Sequence, residues 1–275
     1  MKKLSVIVPS RNGLLILKEF LPAIIHEAQR VQGEVIVVDD CSDDNTLKEI
    51  PSLFPDVTLL SRKRTPGFCH AVNLGMSEAR GSYLMLLNND TIPTENSFNR
   101  LVSALDESER NVAVAVPSII RPDGSDDSSY RWAFRHGLAV TGENIRGEEY
   151  PSGACALWKR SVWEELGGLS CAYAPIYWED TDLGVRMHNA GFIMKRCRGI
   201  TVKHMHAATM GSSLRSETLR ERNRFIFMDN NCNSPAQRLS RASWLPVHLV
   251  IAAMKRNRAF TGGYRDYLKR RRDKK

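Results

Sequence analysis

Five short apolar runs recur along the first part of the chain: LSVIV from Leu4, EVIVV from Glu34, VTLLS from Val57, YLMLL from Tyr83 and VAVAV from Val112. Runs this brief read as strands, and strands with so little polar alternation are covered on both faces. Between them lie LLILKEFLPAIIHEAQR, a capped SDDNTLKEI, PGFCHAVNLGMSEAR and a stretch from Glu95 to Asp106, all with helical character. The strand–helix–strand rhythm confines the chain to an α/β class with a mostly parallel central sheet flanked by helices. At 275 residues and 42% hydrophobic content, one substantial core is available.

From Arg121 to Pro151 the chain turns polar and Gly-rich without clear periodicity, and so long an excursion is expected to form an active-site flap. Apolar and helical signals return at SGACALWKRSVWEELGGL. A helix is expected from WEDTDLGVRMHNAG, then a strand-like FIMKRC leading to TVKHMH, and helices to the end. This predicts a catalytic domain over 1–230, split into halves at 1–118 and 119–230, and a helical basic extension over 231–275. The apolar segment WLPVHLVIAAM is about eleven residues long, where a bilayer span needs about 20. It suits packing or an interface.

The formal net charge is +8, and residues 255 to 275 alone carry ten Lys or Arg against two Asp. The rest is balanced, which argues against a nucleic-acid-binding fold, whose charge would spread along a groove. The tail is either solvated or drawn to an anionic membrane surface. No G-x-G-x-x-G follows the first strand and no P-loop occurs, which excludes the common nicotinamide and P-loop nucleotide readings. The loop PSRNGLL is also a poor substitute for the Gly-rich, basic loop of a sugar-nucleotide pyrophosphorylase. Lys2 and Lys3 lead directly into Leu4 to Val8, unlike an export signal, and six scattered cysteines without a CxxC pair read as reduced thiols. Both features are expected of a cytoplasmic protein.

In an open parallel sheet, ligands gather at the carboxyl ends of the strands. Pro9-Ser10-Arg11-Asn12 follows the first run, Asp39-Asp40-Cys41-Ser42 the second and Asn88-Asn89-Asp90 the fourth. Acids converging at one edge repel unless a cation sits between them, and a hard divalent ion with oxygen ligands would then bind a diphosphate. An ordinary strand-to-helix turn, capped by Asp43 or Asp44, accounts for Asp39 and Asp40 equally well when they are taken alone.

Together, SVIVPSRN, VVDDCSDDNT and LLNNDT resemble in order and spacing the donor-site signatures of family 2 glycosyltransferases of the GT-A fold. GACALWKRSVWEELGGL and YWEDTDLGVRMHNAGF are similar to the acceptor-side region of the rhamnosyltransferase-like and galactofuranosyltransferase-like branch, so the resemblance covers residues 4 to about 230. It implies that Asp39 and Asp40 contact base and ribose, with Pro9, Arg11 and Asn89 beside the nucleotide sugar. Asp90 would bind both donor and metal. Asn88 stands where the usual DxD motif has its first acid, so a second metal ligand must come from elsewhere. His204, 24 positions after Asp180 and ending TVKH, matches the metal-binding histidine of galactofuranosyltransferase-like relatives. A structural histidine is the competing reading. His206 would share its strand face. Imidazole with carboxylate suits Mn2+ or Mg2+.

The same resemblance makes Asp180 the general base that takes the acceptor hydroxyl's proton, with inversion at the anomeric carbon, and Glu179 and Trp178 acceptor-binding residues. Acids at a helix start are favoured by the helix dipole without any catalytic role, and only the combination with the upstream motifs points to chemistry. Arg62, Lys63 and Arg64 are candidates to approach the diphosphate and Arg186 to brace the ED helix, while Asn73 and Asn223 match recurrent positions without an evident role. The implied partners are a UDP- or dTDP-linked sugar donor, a glycan or lipid-linked glycan acceptor of cell-surface polysaccharide synthesis, the cytoplasmic face of an anionic membrane, and a second copy in a homodimer. No nucleic acid is expected. The weakened NND triplet also admits a catalytically weak domain that binds nucleotide as a scaffold.

Overall fold

The computed structural model describes residues 3–205 and 213–273, so His206 lies outside the described residues. The first half alternates as the apolar runs require: β1 (Leu4–Ser10), α1 (Leu14–Arg30), β2 (Glu34–Asp40), α2 (Thr46–Leu53), β3 (Thr58–Arg62), α3 (Phe68–Glu78) and β4 (Tyr83–Leu87). Then come β5 (Thr91–Pro93), α4 (Ser97–Asp106) and β6 (Val112–Ile120). β1 and β2 are buried at every position, as expected of strands covered on both faces, whereas β3, at the sheet edge with one neighbour, stays partly exposed against that expectation. α3 lies so close on them that a Cβ on Gly75 would meet Ile7 Cγ2 at 2.5 Å.

The remaining elements are β7 (Ser129–Arg135), β8 (Leu138–Gly142), β9 (Glu148–Pro151), β10 (Cys155–Lys159), α5 (Arg160–Leu166), α6 (Glu179–Asn189), β11 (Ile193–His204), α7 (Leu214–Asn231), α8 (Pro235–Met254) and α9 (Arg258–Arg272). The main sheet runs β3-β2-β1-β4-β10-β6-β11-β5. Pairings among β1 to β4 and between β6 and β11 are parallel, while β10 enters antiparallel between β4 and β6. The expectation of a mostly parallel sheet is met on this count. The start of the region expected to be helical, CALWK, is instead this inserted strand, because four of its five residues are buried between two neighbours.

The expected flap is likewise ordered as a second sheet, β8-β7-β9, all antiparallel. The physical reason is alternation in SYRWAFR: Trp132 packs edge-on against Phe227 with centroids 5.1 Å apart, and Tyr130 stacks on Tyr150. Below this sheet a second apolar cluster joins Trp178, Phe225, Phe227, Phe260 and Tyr267. α9 therefore packs back along α7, with Phe225 stacked on Tyr267 at 5.4 Å. α8 in contrast keeps Trp244, Val247, Val250, Ile251 and Met254 exposed. Among the described residues, no helix is long and apolar enough to cross a membrane.

Candidate active site

The β5–β11 pairing is antiparallel and sets His204 opposite Thr91, and Met205 N–H donates to Asp90 carbonyl at 2.9 Å. This register, more than sequence distance, carries His204 to Asp90. Its Nε2 lies 3.2 Å from Asp90 Oδ1, and both residues are buried. On the other side, His204 Nδ1 is 2.9 Å from Asp127 Oδ2. Asp127 is itself fixed: its amide donates to Ile119 carbonyl at 2.7 Å, Arg121 Nη2 donates to its Oδ1 at 2.5 Å, and the Tyr130 hydroxyl also donates to Oδ1. Burial opposes a charge on His204, but hydrogen bonds to Asp127 and Asp90 outweigh it and hold its pKa up at about 9. Asp127 is driven below the usual carboxylate range, its hydrogen bonds and Arg121 overcoming burial.

The donor set fits a hard divalent cation. Two ligands in adjacent octahedral positions sit about 3 Å apart, and Asp90 Oδ1 and His204 Nε2 are already at 3.2 Å. Asn88 Nδ2 lies 3.5 Å from the same imidazole nitrogen, where an acid in its place would have added a charge. Asp127 was not singled out in the sequence. The signal was there in DDSSYRWAF, an acid just before an alternating aromatic strand.

His204, Asn88 and Asp127 line a cavity of about 360 Å³ that is also lined by Trp178, Glu179 and Asp180 at the start of α6. Asp180 Oδ1 accepts from Thr181 N–H at 2.7 Å. Burial raises its pKa above the ordinary carboxylate value. Glu179 is raised further, by burial and then by the charge of Asp180, and its Oε2 is buried without a hydrogen-bond partner among the described residues. Two acids side by side with lifted pKa values are what proton transfer near neutral pH needs.

The approach to α6 is strained. Tyr177 and Trp178 hold φ values of 81° and 77°, a left-handed pair costing about 1–3 kcal/mol per residue. Asn223 offsets this, its Nδ2 donating to the carbonyls of Tyr173, Ile176 and Tyr177 at 2.5, 2.8 and 3.0 Å. Trp178 is mostly buried in the second cluster, with Nε1 donating to Arg220 carbonyl at 3.0 Å, so only part of its ring borders the cavity. Behind α6, Arg186 Nε donates to Asp182 Oδ2 at 2.9 Å and Nη2 to Gly168 carbonyl at 2.8 Å, the brace expected of it. Asn73 instead ties α3 to Leu169, donating to its carbonyl at 2.7 Å and accepting its amide at 2.9 Å.

The other candidates sit at the ends of β1, β2 and β4 and, like Asp90, are not among the residues lining this cavity. Asp39 is fully buried; its Oδ2 accepts from Ser42 N–H at 3.3 Å, and Oδ1 has no partner among the described residues. Asp40 accepts from Gly67 N–H at 2.6 Å and from Arg62, which commits Arg62 to this ion pair. Asp44 Oδ2 accepts from Leu14 N–H at 3.1 Å and Oδ1 from Thr46 N–H at 3.0 Å, so it caps two helix starts. Pro9 is buried inside β1, and Arg11 is exposed beyond its end. Asn89 Nδ2 donates to Ser10 Oγ at 2.9 Å, which links the NND turn to the β1 end.

The mostly parallel sheet with an added antiparallel strand, flanked by helices, is the fold of the GT-A glycosyltransferases. Among solved structures, that of GalNAc-T7 with UDP, GalNAc and Mn2+ superposes with a TM-score of 0.65 at 18% identity, covering 83% of this chain and 48% of that one. A mannosyltransferase from Pyrobaculum calidifontis in complex with GDP-Man and Mn2+ does so at 0.59 and 17%, covering 97% and 87%. At these identities the likeness is one of fold. Glycosyl transferase family 2 matches residues 5–167, and the chain belongs to that family. The N-acetylglucosaminyl-diphospho-decaprenol L-rhamnosyltransferase of Mycobacterium tuberculosis is 28% identical over 228 residues, 71% of this chain and 73% of the relative. Two other curated relatives are matched over only 13% and 46% of their own lengths.

Proposed function

We propose that this chain is a divalent-metal-dependent, inverting glycosyltransferase that moves one sugar from a UDP- or dTDP-linked donor to a hydroxyl of a glycan or lipid-linked glycan. The observation that carries the reading is one cavity lined by both His204 and the Glu179–Asp180 pair. Asp90 and His204 hold Mn2+ or Mg2+, which when bound supplies Lewis-acid stabilisation of the departing diphosphate. Asp39, with its unpartnered Oδ1, accepts a hydrogen bond from the base, while Asp40 keeps the β2 end and Gly67 in place beside the ribose. Pro9, Arg11 and Asn89 complete the donor side.

Asp180 takes the proton of the acceptor hydroxyl as its oxygen attacks the anomeric carbon from the face opposite the diphosphate. Glu179 and the exposed edge of Trp178 orient the acceptor. Residues 1–118 serve the donor and 119–230 the acceptor, and 231–275 form an extension whose exposed α8 face and cations meet the cytoplasmic face of an anionic membrane. The matched rhamnosyltransferase, named for a diphospho-decaprenol substrate, supports an acceptor held at such a surface. A panel of nucleotide sugars tested by thermal shift with Mn2+, followed by NMR of the anomeric configuration of the product, tests the reading. A shift with one donor and an inverted product are expected. A donor-induced shift without turnover on any glycan acceptor would favour the scaffold reading that Asn88 motivates.

A further inference from the structure

Cys69, His70 and Cys171 form a second cluster of metal-ligating side chains, distinct in residues and chemistry from Asp90 and His204. Cys69 and His70 lie in the first turn of α3, and Cys171 opens a 3-10 turn, Cys171–Tyr173, between α5 and α6. The two sulfur atoms and a ring nitrogen of His70 all lie within 4.8 Å of one another. All three residues differ in exposure: Cys69 is buried, Cys171 half-buried and His70 exposed, so the group has a buried floor and an open mouth. The cysteines are free, and Asn73 Nδ2 donates to Cys171 Sγ at 3.7 Å.

Two sulfurs and an imidazole form a soft donor set that suits Zn2+ over Mg2+ or Mn2+. In a tetrahedral site with usual Zn–S and Zn–N lengths, neighbouring donors stand about 3.5–3.8 Å apart. Reaching that from a spread of 4.8 Å needs a movement of roughly 1 Å, within the range of a χ rotation of the exposed His70 and half-buried Cys171. Three protein ligands leave a fourth position for water. Burial, Cys171 and the charge of Glu179 push the Cys69 thiol up, and a bound cation reverses that balance by favouring the thiolate.

We propose that Cys69, His70 and Cys171 bind one thiophilic divalent cation of the Zn2+ class, stapling the start of α3 to the loop that leads into Glu179 and Asp180. Phe68 N–H already donates to Pro175 carbonyl at 2.8 Å across the same junction, so the ion tightens an existing contact. Binding releases the thiol protons and therefore strengthens as pH rises. The site does not depend on the proposed catalytic metal, whose ligands are oxygen and nitrogen.

The test is a Co2+ titration of the full, reduced, chelator-stripped protein, followed by thiolate-to-cobalt charge-transfer absorption in the near ultraviolet. One equivalent per chain is expected to develop the band. Cys171→Ser and Cys69→Ser should each lose it in part or whole, and His70→Ala, at an exposed position, should weaken it without loss of fold. Asp90→Ala should keep the full band, which separates this site from the catalytic one. Zn2+ should displace Co2+ and raise the melting temperature of the wild type but not of Cys171→Ser. Absence of a charge-transfer band, or an equal band in Cys171→Ser with native circular dichroism, overturns the proposal.

Discussion

Replacing Asp127 by Asn probes the least visible part of the site. The change keeps shape but removes the charge 2.9 Å from His204 Nδ1, while Asp90 stays 3.2 Å from Nε2. Arg121 retains Glu143 at 3.3 Å, so the fold should survive. Carboxylates that orient a ligating histidine are worth about 10–100-fold in metal affinity, equivalent to about 1.4–2.7 kcal/mol. The burial of Asp127 and its two further anchors argue for the upper part of that range. Mn2+ binding to stripped protein, measured calorimetrically at one pH in the presence of UDP, should weaken accordingly while the nucleotide alone binds as before. Asp127→Asn that folds normally and binds Mn2+ with wild-type affinity would refute the orienting role.

Alanine at Asp90 or at His204 should each raise the Mn2+ concentration needed for half-maximal activity; a wild-type titration curve for His204→Ala would make that histidine structural. The metal-free protein should also lose stability as pH rises. His204 has a folded pKa raised to about 9 from 6.5, so its contribution is complete below 6.5 and gone above about 9. That contribution is on the order of 3 kcal/mol. Urea midpoints at pH 6 and 9.5 should differ in the wild type and converge in His204→Gln, and equal midpoints in the wild type would contradict the linkage. For the membrane, Val250 and Met254 to Ser with Lys255 and Arg256 to Glu should reduce sedimentation with anionic vesicles and leave the melting temperature unchanged. Deleting 255–275 is a poorer test, because it strips Phe260 and Tyr267 from the α7 cluster at about 3–5 kcal/mol for each large aromatic. Unchanged vesicle binding by the surface variant, or concentration-dependent dimerisation that this variant abolishes, would assign α8 to a partner copy.

The strands β1 to β4 and β6 were legible because an apolar run flanked by turn residues has few other uses. CALWK was not, since a short buried run carries no period that tells strand from helix. SYRWAFR does alternate, but arginines between the aromatics disguised half-burial as polarity. The candidate site residues Asp39 at the end of β2, Asp90 just after β4 and Asp180 at the start of α6 could be picked from motifs. For Asp127 the local pattern DDSSYRWAF marks only an acid before a strand; its role depends on a partner 77 positions away, brought near by the pairing of β6 with β11. Asn223 was visible as a recurring position, yet its task of holding three carbonyls of a left-handed turn depends on a conformation at Tyr177 and Trp178 that no local propensity would predict.

The central claim is that Asp180 is the base of a sugar transfer, and Asp180→Asn tests it most directly. Once a donor and acceptor pair is in hand, kcat of this variant and its affinity for the nucleotide sugar are measured together. The amide keeps the size of the side chain and its place beside Thr181 but cannot take a proton. Transfer should fall by about 10²-fold or more, with donor affinity nearly unchanged. A variant that keeps more than about a tenth of the wild-type kcat, below the usual contribution of a general base, would remove Asp180 from that role.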